Sequence, residues 1–271
     1  MRQTEPMTDA DAPTFRDLLR TPDNIVGLWA GVASTSTAEA LARAGADYVC
    51  IDTQHGLVDY QAAVSMIPAI HLGRSCPIAR VSWNEPGAIG KLLDAGAQGI
   101  IVPMVNTRAD AEAAVRACHY PPLGARSFGP SGAAPRVDGS YFDQSRDQIA
   151  VIPMVETVEA LANVDDIVSV PGVDAIYVGP ADLSISLGLP PGNNDDSPAF
   201  MDALERIVAA CQRAGVVSGI HSTGALTPKR LAMGFRMVTV TADLVALKLG
   251  AASELAAARS DAPGGSGGAI Y

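Results

Sequence analysis

The sequence predicts an α/β fold, a closed (β/α)8 TIM barrel in a single domain, and three observations support this prediction. The chain has 271 residues, close to the roughly 250 that such barrels use. Eight short runs rich in β-branched residues alternate with segments of helical periodicity, a pattern typical of a parallel sheet. An open doubly wound sheet, the main rival, would be expected to carry a GxGxxG turn after its first strand, and the sequence has none there.

Each predicted strand is a run of apolar and β-branched residues of ordinary strand length. In chain order the eight runs are IVGLWAGVA at 25–33, DYVCIDTQ at 47–54, PIARVSW at 77–83, GIIVPMV at 99–105, VIPMV at 151–155, AIYVG at 175–179, VVSGIHS at 216–222 and MVTVTAD at 237–243.

The segments between these runs repeat apolar residues at helical spacing, and several end in a glycine that suits a helix C-terminus. The predicted helices are 15–19, 34–46, 59–72, 89–97, 108–117, 158–168, 199–214 and 244–259. The connection 119–147 is long and rich in Gly and Pro, and such loops usually cover a site or an interface. We therefore expect an N-terminal arm with a short helix at 1–22, the barrel at 23–259 and a flexible Gly-rich tail at 260–271. The last helix and the tail are expected to take part in subunit packing.

Charge and composition exclude several classes of partner. A formal net charge of −10 and a pI of about 4.7 argue against nucleic acid and anionic membranes as partners. The sequence has no apolar run near the roughly 18 residues of a membrane span, and its first residues lack the apolar core of a signal peptide. We therefore expect a cytoplasmic protein. The four cysteines show no CxxC spacing, so we expect them to be reduced and mostly buried.

Two predicted strands, the fifth and the sixth, are each followed by a carboxylate, Glu156 and Asp182. A right-handed strand–helix–strand unit makes the two strands parallel, so both carboxylates belong to the C-terminal edge where such barrels keep their chemistry. Paired carboxylates without Cys or paired His form a hard oxygen site suited to Mg²⁺ or Mn²⁺. In the alternative interpretation, Glu156 caps the following helix and Asp182 opens a loop.

Further polar residues lie near the ends of other predicted strands. Arg80 stands inside an apolar strand, so it must face a carboxylate, a ligand or solvent, and a structural Arg–Asp pair is the alternative. His55 lies just past the end of the second strand, where a general base is expected. His221, near the end of the seventh strand, could touch a substrate. Trp29 and Asp52 belong to the same edge.

These residues lie in motifs that together resemble the HpcH/HpaI family of class II, metal-dependent pyruvate aldolases. The resemblance runs from about residue 27 to 250 and is carried by GLWAG, AGADYVCIDTQHG, PIARVSWNEP, KLLDAGAQGIIVPMV, YPPLGARSFG and GVDAIYVGPADLS. It implies reversible cleavage of a 4-hydroxy-2-oxo acid into pyruvate or a close analogue such as hydroxypyruvate, and an aldehyde. The small-molecule partners would thus be a 2-oxo acid and an aldehyde.

The resemblance also implies roles for particular residues. Glu156 and Asp182 would hold a divalent metal (Mg²⁺, Mn²⁺ or Co²⁺), and Arg80 would bind the carboxylate of pyruvate and steady its enolate. His55 would be the catalytic base, with Asp52 supporting the site. Asp94 would reach the His of an adjacent subunit, which implies a homo-oligomer, commonly a hexamer. The residues implied to line the pyruvate pocket are Trp29, Gly179, Pro180 and Ala181.

Some residues depart from the pattern of the family, and two alternative functions remain open. Gln54 stands where the family often has Glu, Met154 where it often has Gln, His221 where it is usually apolar, and Ser127 where Gly is common. The three lysines fall in helical patterns, so a Schiff-base mechanism is not expected. A lyase for acyl-CoA thioesters would need a basic groove for the CoA phosphates, which the sequence does not show. A barrel without catalytic activity that acts as an interaction protein is the other alternative.

Overall fold

The computed structural model describes residues 13–259, which form a closed barrel of eight parallel strands and confirm the predicted fold. Each strand pairs with the next along the chain, and the first pairs with the last. The N-terminal arm up to residue 12 and the tail at 260–271 lie outside the described residues. The strands are β1 (Ile25–Ala30), β2 (Tyr48–Asp52), β3 (Cys76–Arg80), β4 (Gly99–Val102), β5 (Ala150–Val155), β6 (Ala175–Val178), β7 (Val217–His221) and β8 (Met237–Ala242).

The helices surround the barrel, apart from α1, which packs beneath it. They are α1 (Phe15–Arg20), α2 (Thr35–Arg43), α3 (Tyr60–Leu72), α4 (Pro86–Ala95), α5 (Arg108–Cys118), α6 (Tyr141–Gln148), α7 (Val158–Ala162), α8 (Val164–Val168), α9 (Pro180–Ser186), α10 (Pro198–Ala214), α11 (Thr227–Ala232) and α12 (Asp243–Ala258). Among the described residues, no helix is both long enough and apolar enough to cross a membrane.

The side-chain alternation of the strands divides the core into two layers. On β2, for example, Val49 and Ile51 pack outward against the helices, whereas Tyr48 and Cys50 pack inside the barrel. All four cysteines are buried and free, as expected.

The N-terminal end of the barrel is closed by α1. Phe15 is fully buried and meets the ring of Tyr48 edge to face, with centroids 5.4 Å apart. A side chain on Gly27 would overlap the Tyr48 ring, so this glycine makes room for a large residue inside the barrel. These rings fill the centre of the barrel at this end, which leaves the C-terminal mouth as the place for a site.

The structure corrects several predicted elements. The fourth strand ends at Val102 rather than 105, because Met104 adopts φ 55°, which an extended strand cannot contain. The single helix predicted at 158–168 is two short helices separated at Asn163, whose side chain donates to the Asn106 carbonyl at 2.8 Å.

Three helices were not predicted with bounds of their own, and each carries a recognisable start signal. The connection 119–147 contains most of α6, whose N-cap is Ser140 with Asp143 three residues later. Helices α9 and α11 each have proline at their start, a favoured first position of a helix.

Candidate active site

Alternation along the strands brings the predicted site residues to one mouth. On β2 the inward series Tyr48 and Cys50 continues to Asp52, and on β3 the corresponding position is Arg80. The same rule places Trp29 on β1, Glu156 just after β5 and His221 at the end of β7. The fold therefore gathers side chains that are far apart in the sequence above a single apolar floor.

Arg80 and Asp52 form a bidentate ion pair across the mouth. Arg80 Nε donates to Asp52 Oδ1 at 2.9 Å and Nη2 donates to Oδ2 at 2.7 Å. Burial alone would raise the pKa of Asp52, but hydrogen bonds from Arg80 and Trp29 and the positive charge of Arg80 hold it below its usual value. The alternative Arg–Asp pair is therefore present, and it leaves Arg80 Nη1 without a bond to another described residue.

Trp29 provides a wall beside this ion pair. The Arg80 guanidinium lies 5.2 Å from the centroid of the Trp29 ring, a distance at which the cation is attracted by the ring face. Trp29 also packs on Tyr177 and on His221, with centroids 5.5 and 5.1 Å apart. An apolar wall and a fixed cation are what an organic carboxylate needs.

Glu156 is almost completely buried at the end of β5. Its Oε1 accepts the backbone N–H of Met104 at 2.8 Å, and the left-handed conformation of Met104 marks local backbone strain at this site. Burial raises the pKa of Glu156 to about 7; the Met104 N–H opposes this, the charge of Asp182 adds to it and Arg80 opposes it. The cap of the following helix is Thr157, so Glu156 does not cap it.

Asp182 lies in the first turn of α9 and is exposed toward solvent. It does not open a loop, as the alternative interpretation had it. Between Asp182 and the end of β6 stands Gly179, where a Cβ would overlap Glu156 Oε2 and come within 3.0 Å of Met154 Cε. This glycine lets the Glu156 carboxylate lie against the backbone.

The carboxylates of Glu156 and Asp182 repel each other, and a divalent cation between them would remove this repulsion. A buried carboxylate beside a second one is destabilised unless positive charge lies between them, and Arg80 is already paired with Asp52. Within residues 13–259, no cluster of three or more acidic, His or Cys side chains could hold a metal by itself. Two carboxylates completed by substrate and water oxygens are the usual set for Mg²⁺.

His55 is exposed on the turn after β2, and Asp52 holds that turn. Asp52 Oδ1 accepts the backbone N–H groups of Gln54 and His55 at 3.1 and 3.3 Å. A side chain on Gly56 would overlap the Asp52 carbonyl oxygen, so the turn needs glycine there. The Gln54 side-chain oxygen is buried without a hydrogen-bond partner among the described residues.

Asp94 does not join this cluster within the chain. It lies near the end of α4, and its carboxylate accepts Arg126 Nη2 at 2.6 Å. Arg126 is itself buried beneath the rings of Tyr120 and Tyr141. The expected contact with His55 of a neighbouring subunit stays a prediction.

Several polar contacts of the mouth were not anticipated from the sequence. Tyr177 OH donates to Thr239 Oγ1 at 2.6 Å and lies 3.5 Å from Nδ1 of His221. Tyr48 OH meets the same Thr239 oxygen at 2.8 Å. The alternation of β2, β6, β7 and β8 is the signal that could have placed these side chains inside the barrel.

Two further features lie away from the mouth. All three lysines lie on helices, Lys91 on α4, Lys229 on α11 and Lys248 on α12. A cavity of about 480 Å³ lies at the opposite, N-terminal end of the strands, where Arg16, Arg20 and Arg236 are among its lining residues. It contains none of the predicted site residues, and its arginines are engaged with carboxylates and backbone carbonyls.

Comparison with known proteins gives consistent matches over most of the chain. The family model of the HpcH/HpaI aldolase/citrate lyase family matches residues 26–248. A hydroxypyruvate/pyruvate aldolase of Rhizorhabdus wittichii is 42% identical over 236 residues, covering 86% of this chain and 93% of that protein. A 4-hydroxy-2-oxo-heptane-1,7-dioate aldolase of Klebsiella pneumoniae is 39% identical over 242 residues, covering 88% and 90%. The crystal structure of an HpcH/HpaI aldolase/citrate lyase family protein from Burkholderia cenocepacia superposes with a TM-score of 0.84 at 35% identity, covering 90% and 98%.

Proposed function

The chain belongs to the HpcH/HpaI aldolase/citrate lyase family, and we propose that it reversibly cleaves a 4-hydroxy-2-oxo acid into pyruvate or hydroxypyruvate and an aldehyde with the help of a divalent metal. It is an aldolase of the aldehyde-lyase type, as are the named relatives. The observation that carries the proposal is the meeting of Glu156 and Asp182 with the Arg80–Asp52 pair at one mouth.

Glu156 and Asp182 would hold the metal, because they are the hard oxygen donors at the mouth. A bound divalent cation would draw electrons from the 2-keto oxygen and so stabilise a pyruvate enolate. We propose Mg²⁺, Mn²⁺ or Co²⁺ as this metal.

The side chains of the chain then account for binding and proton transfer. Arg80 Nη1, which the ion pair leaves available, would bind the substrate carboxylate against Trp29. His55 would take the proton of the 4-hydroxyl as the C3–C4 bond breaks, so that the electron pair remains on C3 and the aldehyde leaves. Asp52 holds both the guanidinium and the turn that carries His55. In the synthetic direction His55 returns that proton to the new hydroxyl.

The wall of the pocket would be completed by the first turn of α9. Pro180 is buried and Ala181 is exposed there, directly after Gly179. We propose that these residues contact the 2-oxo acid, because they lie between the two proposed metal ligands. They follow Gly179, whose backbone lies against Glu156, and they directly precede Asp182.

We further propose that the protein works as a homo-oligomer. Nearly all of α12 after Asp243 is exposed, including Leu247 and Leu249 at 68% and 65%. A long exposed apolar helix is unfavourable in water and marks an interface. We propose a second copy of the chain as the partner. This agrees with the expectation that Asp94 of one subunit reaches the exposed His55 of another. The hexamer and the cytoplasmic location stay predictions of the sequence.

The test is the release of pyruvate from racemic 4-hydroxy-2-oxopentanoate by protein stripped with EDTA and resupplied with Mg²⁺, Mn²⁺ or Co²⁺. We expect activity to vanish with chelator and to return with metal. Glu156→Gln should stay inactive, whereas Glu112→Gln, exposed on α5, should keep wild-type activity. If no metal restores release with aldehydes of several lengths, the thioester lyase becomes the better hypothesis.

A further inference from the structure

His221 is the last inward residue of β7, and it lies in the mouth beside the ion pair. Its ring meets Trp29 edge to face at 5.1 Å, and Trp29 in turn carries Arg80 on its own ring. Burial lowers the pKa of His221 to about 4, and Arg80 lowers it further while Asp52 opposes this. The imidazole is therefore neutral near pH 7, with one nitrogen that donates and one that accepts.

The hydrogen bonds below the ring decide which nitrogen donates. Tyr177 has a single hydroxyl hydrogen, and it is donated to Thr239 Oγ1 at 2.6 Å. Toward His221 Nδ1, 3.5 Å away, the Tyr177 oxygen can therefore only accept. A hydrogen bond between these two atoms then requires the hydrogen on Nδ1, the tautomer that leaves the lone pair on Nε2.

Tyr177 can reach this position because of a glycine. Gly219, two residues before His221, has no side chain, and a Cβ there would come within 3.0 Å of the Tyr177 ring. Tyr48 bonds the other side of Thr239 at 2.8 Å, so the chain of hydroxyls is anchored inside the barrel.

The other ring nitrogen, Nε2, makes no hydrogen bond to another residue within 13–259. It is also not among the buried polar atoms that lack a partner there, so it is accessible to solvent and to a ligand. Trp29 and Arg80, which lie next to it, are the residues that the proposed function assigns to the 2-oxo acid. A neutral acceptor at this place suits a hydroxyl group on the donor substrate, because a methyl group offers it no hydrogen.

We propose that His221 is a specificity residue whose Nε2 accepts a hydrogen bond from the 3-hydroxyl of hydroxypyruvate, so that the enzyme favours hydroxypyruvate over pyruvate as the aldol donor. Tyr177 is the positioning residue that sets the tautomer. This inference rests on the proposed function, because it assigns the donor substrate of the same site.

The test compares the two donors in the holoenzyme with one added metal and one aldehyde, glycolaldehyde. We expect His221→Leu to lower the ratio of kcat/KM for hydroxypyruvate to that for pyruvate about tenfold, the effect of one lost hydrogen bond. His221→Gln offers an acceptor oxygen and should retain most of the ratio. His71→Leu, on α3 away from the mouth, is the matched control and should leave the ratio as in the wild type.

A second readout does not depend on activity. In protein labelled with nitrogen isotope on its imidazoles, NMR should show His221 with a protonated Nδ1 and a bare Nε2 at pH 7. In Tyr177→Phe the preference for this tautomer should weaken, and the donor ratio should fall two- to threefold.

The outcomes separate this inference from the proposed function. Turnover of both donors with an unchanged ratio in His221→Leu, or a bare Nδ1 in the wild type, would overturn the inference and leave the aldolase standing. A wild-type protein that consumed neither donor with any metal would overturn both.

Discussion

At the scale of single residues, we propose two roles for the guanidinium of Arg80. Its pairing with Asp52 fixes its position, and its remaining nitrogen would bind the substrate. A lysine has a single nitrogen and cannot reproduce both contacts. The proposed substrate contact therefore depends on the geometry of this residue as well as on its charge.

We expect Arg80→Lys to lower kcat/KM for cleavage by about a hundredfold, comparable to the loss of one preorganised donor in other enzymes. The measurement is the initial rate of pyruvate release at saturating metal. Arg43→Lys changes an exposed guanidinium that pairs with Glu39 and should keep the wild-type rate. Equal rates for Arg80→Lys and the wild type would refute the proposed carboxylate contact.

Gly179 gives a second prediction, because its missing side chain determines where Glu156 lies. In Gly179→Ala the new methyl group must displace Glu156 Oε2. We expect Mn²⁺ to bind about tenfold more weakly, the lower end of the effects seen when supporting residues of metal sites are changed. Calorimetric titration of the stripped protein measures this. Gly224→Ala, which meets open space, should bind as the wild type does.

The buried His119 should make the free energy of unfolding depend on pH. Burial, with the charges of Arg16 and Arg126, lowers its pKa to about 4 in the folded chain, against about 6.5 when unfolded. Below pH 6.5 the unfolded state takes up the proton first, so stability is lost as the pH falls toward 4. Protonation of His119 should lower the free energy of unfolding by roughly 3 kcal/mol between pH 6.5 and 4.

Urea unfolding of the wild type and of His119→Gln between pH 7 and 4 tests this. Wild-type stability should fall more steeply with decreasing pH than that of the variant. His221, whose pKa is also lowered, and Glu156, whose raised pKa acts in the opposite direction, are present in both proteins. Parallel curves would show that His119 does not contribute.

At the scale of elements, the eight strands and the positions of Trp29, Asp52, Arg80 and Glu156 could be predicted from the sequence, because strand alternation fixes which residues face inward. The exact contacts between these side chains could not be predicted. The pairing of Arg80 with Asp52 depends on the register of β2 with β3, and the contact of Met104 with Glu156 depends on one backbone torsion. Helix α6 was missed because its polar sequence has little apolar periodicity, although Ser140 marks its start.

Helix α12 is expected to form the interface between subunits. Its apolar residues have no cover within the described chain, so we expect them to pack on another copy. Leu247→Glu should shift the protein toward smaller species in light scattering coupled to gel filtration. Leu72→Glu, equally exposed on α3, serves as the control. An unchanged mass of Leu247→Glu would mean that α12 is not the interface.

At the scale of the whole molecule, the barrel has an N-terminal end covered by α1 and a polar mouth at its C-terminal end. The mouth combines the two carboxylates proposed as metal ligands, a guanidinium fixed by Asp52 and the exposed His55, the proposed base, on a turn that needs glycine. The sequence and its motifs predicted these residues for one mouth, whereas the hydroxyl chain from Tyr48 to His221 required the positions of four strands, β2, β6, β7 and β8. We propose that this mouth makes a pyruvate enolate with a metal held by Glu156 and Asp182.

The exchange of the methyl hydrogens of pyruvate with heavy water, followed by proton NMR without any aldehyde, tests whether this enolate forms. We expect exchange with Mg²⁺, Mn²⁺ or Co²⁺, none after chelation and none in Glu156→Gln. Exchange that persists in the chelated protein, or no exchange with any of the three metals, would contradict it.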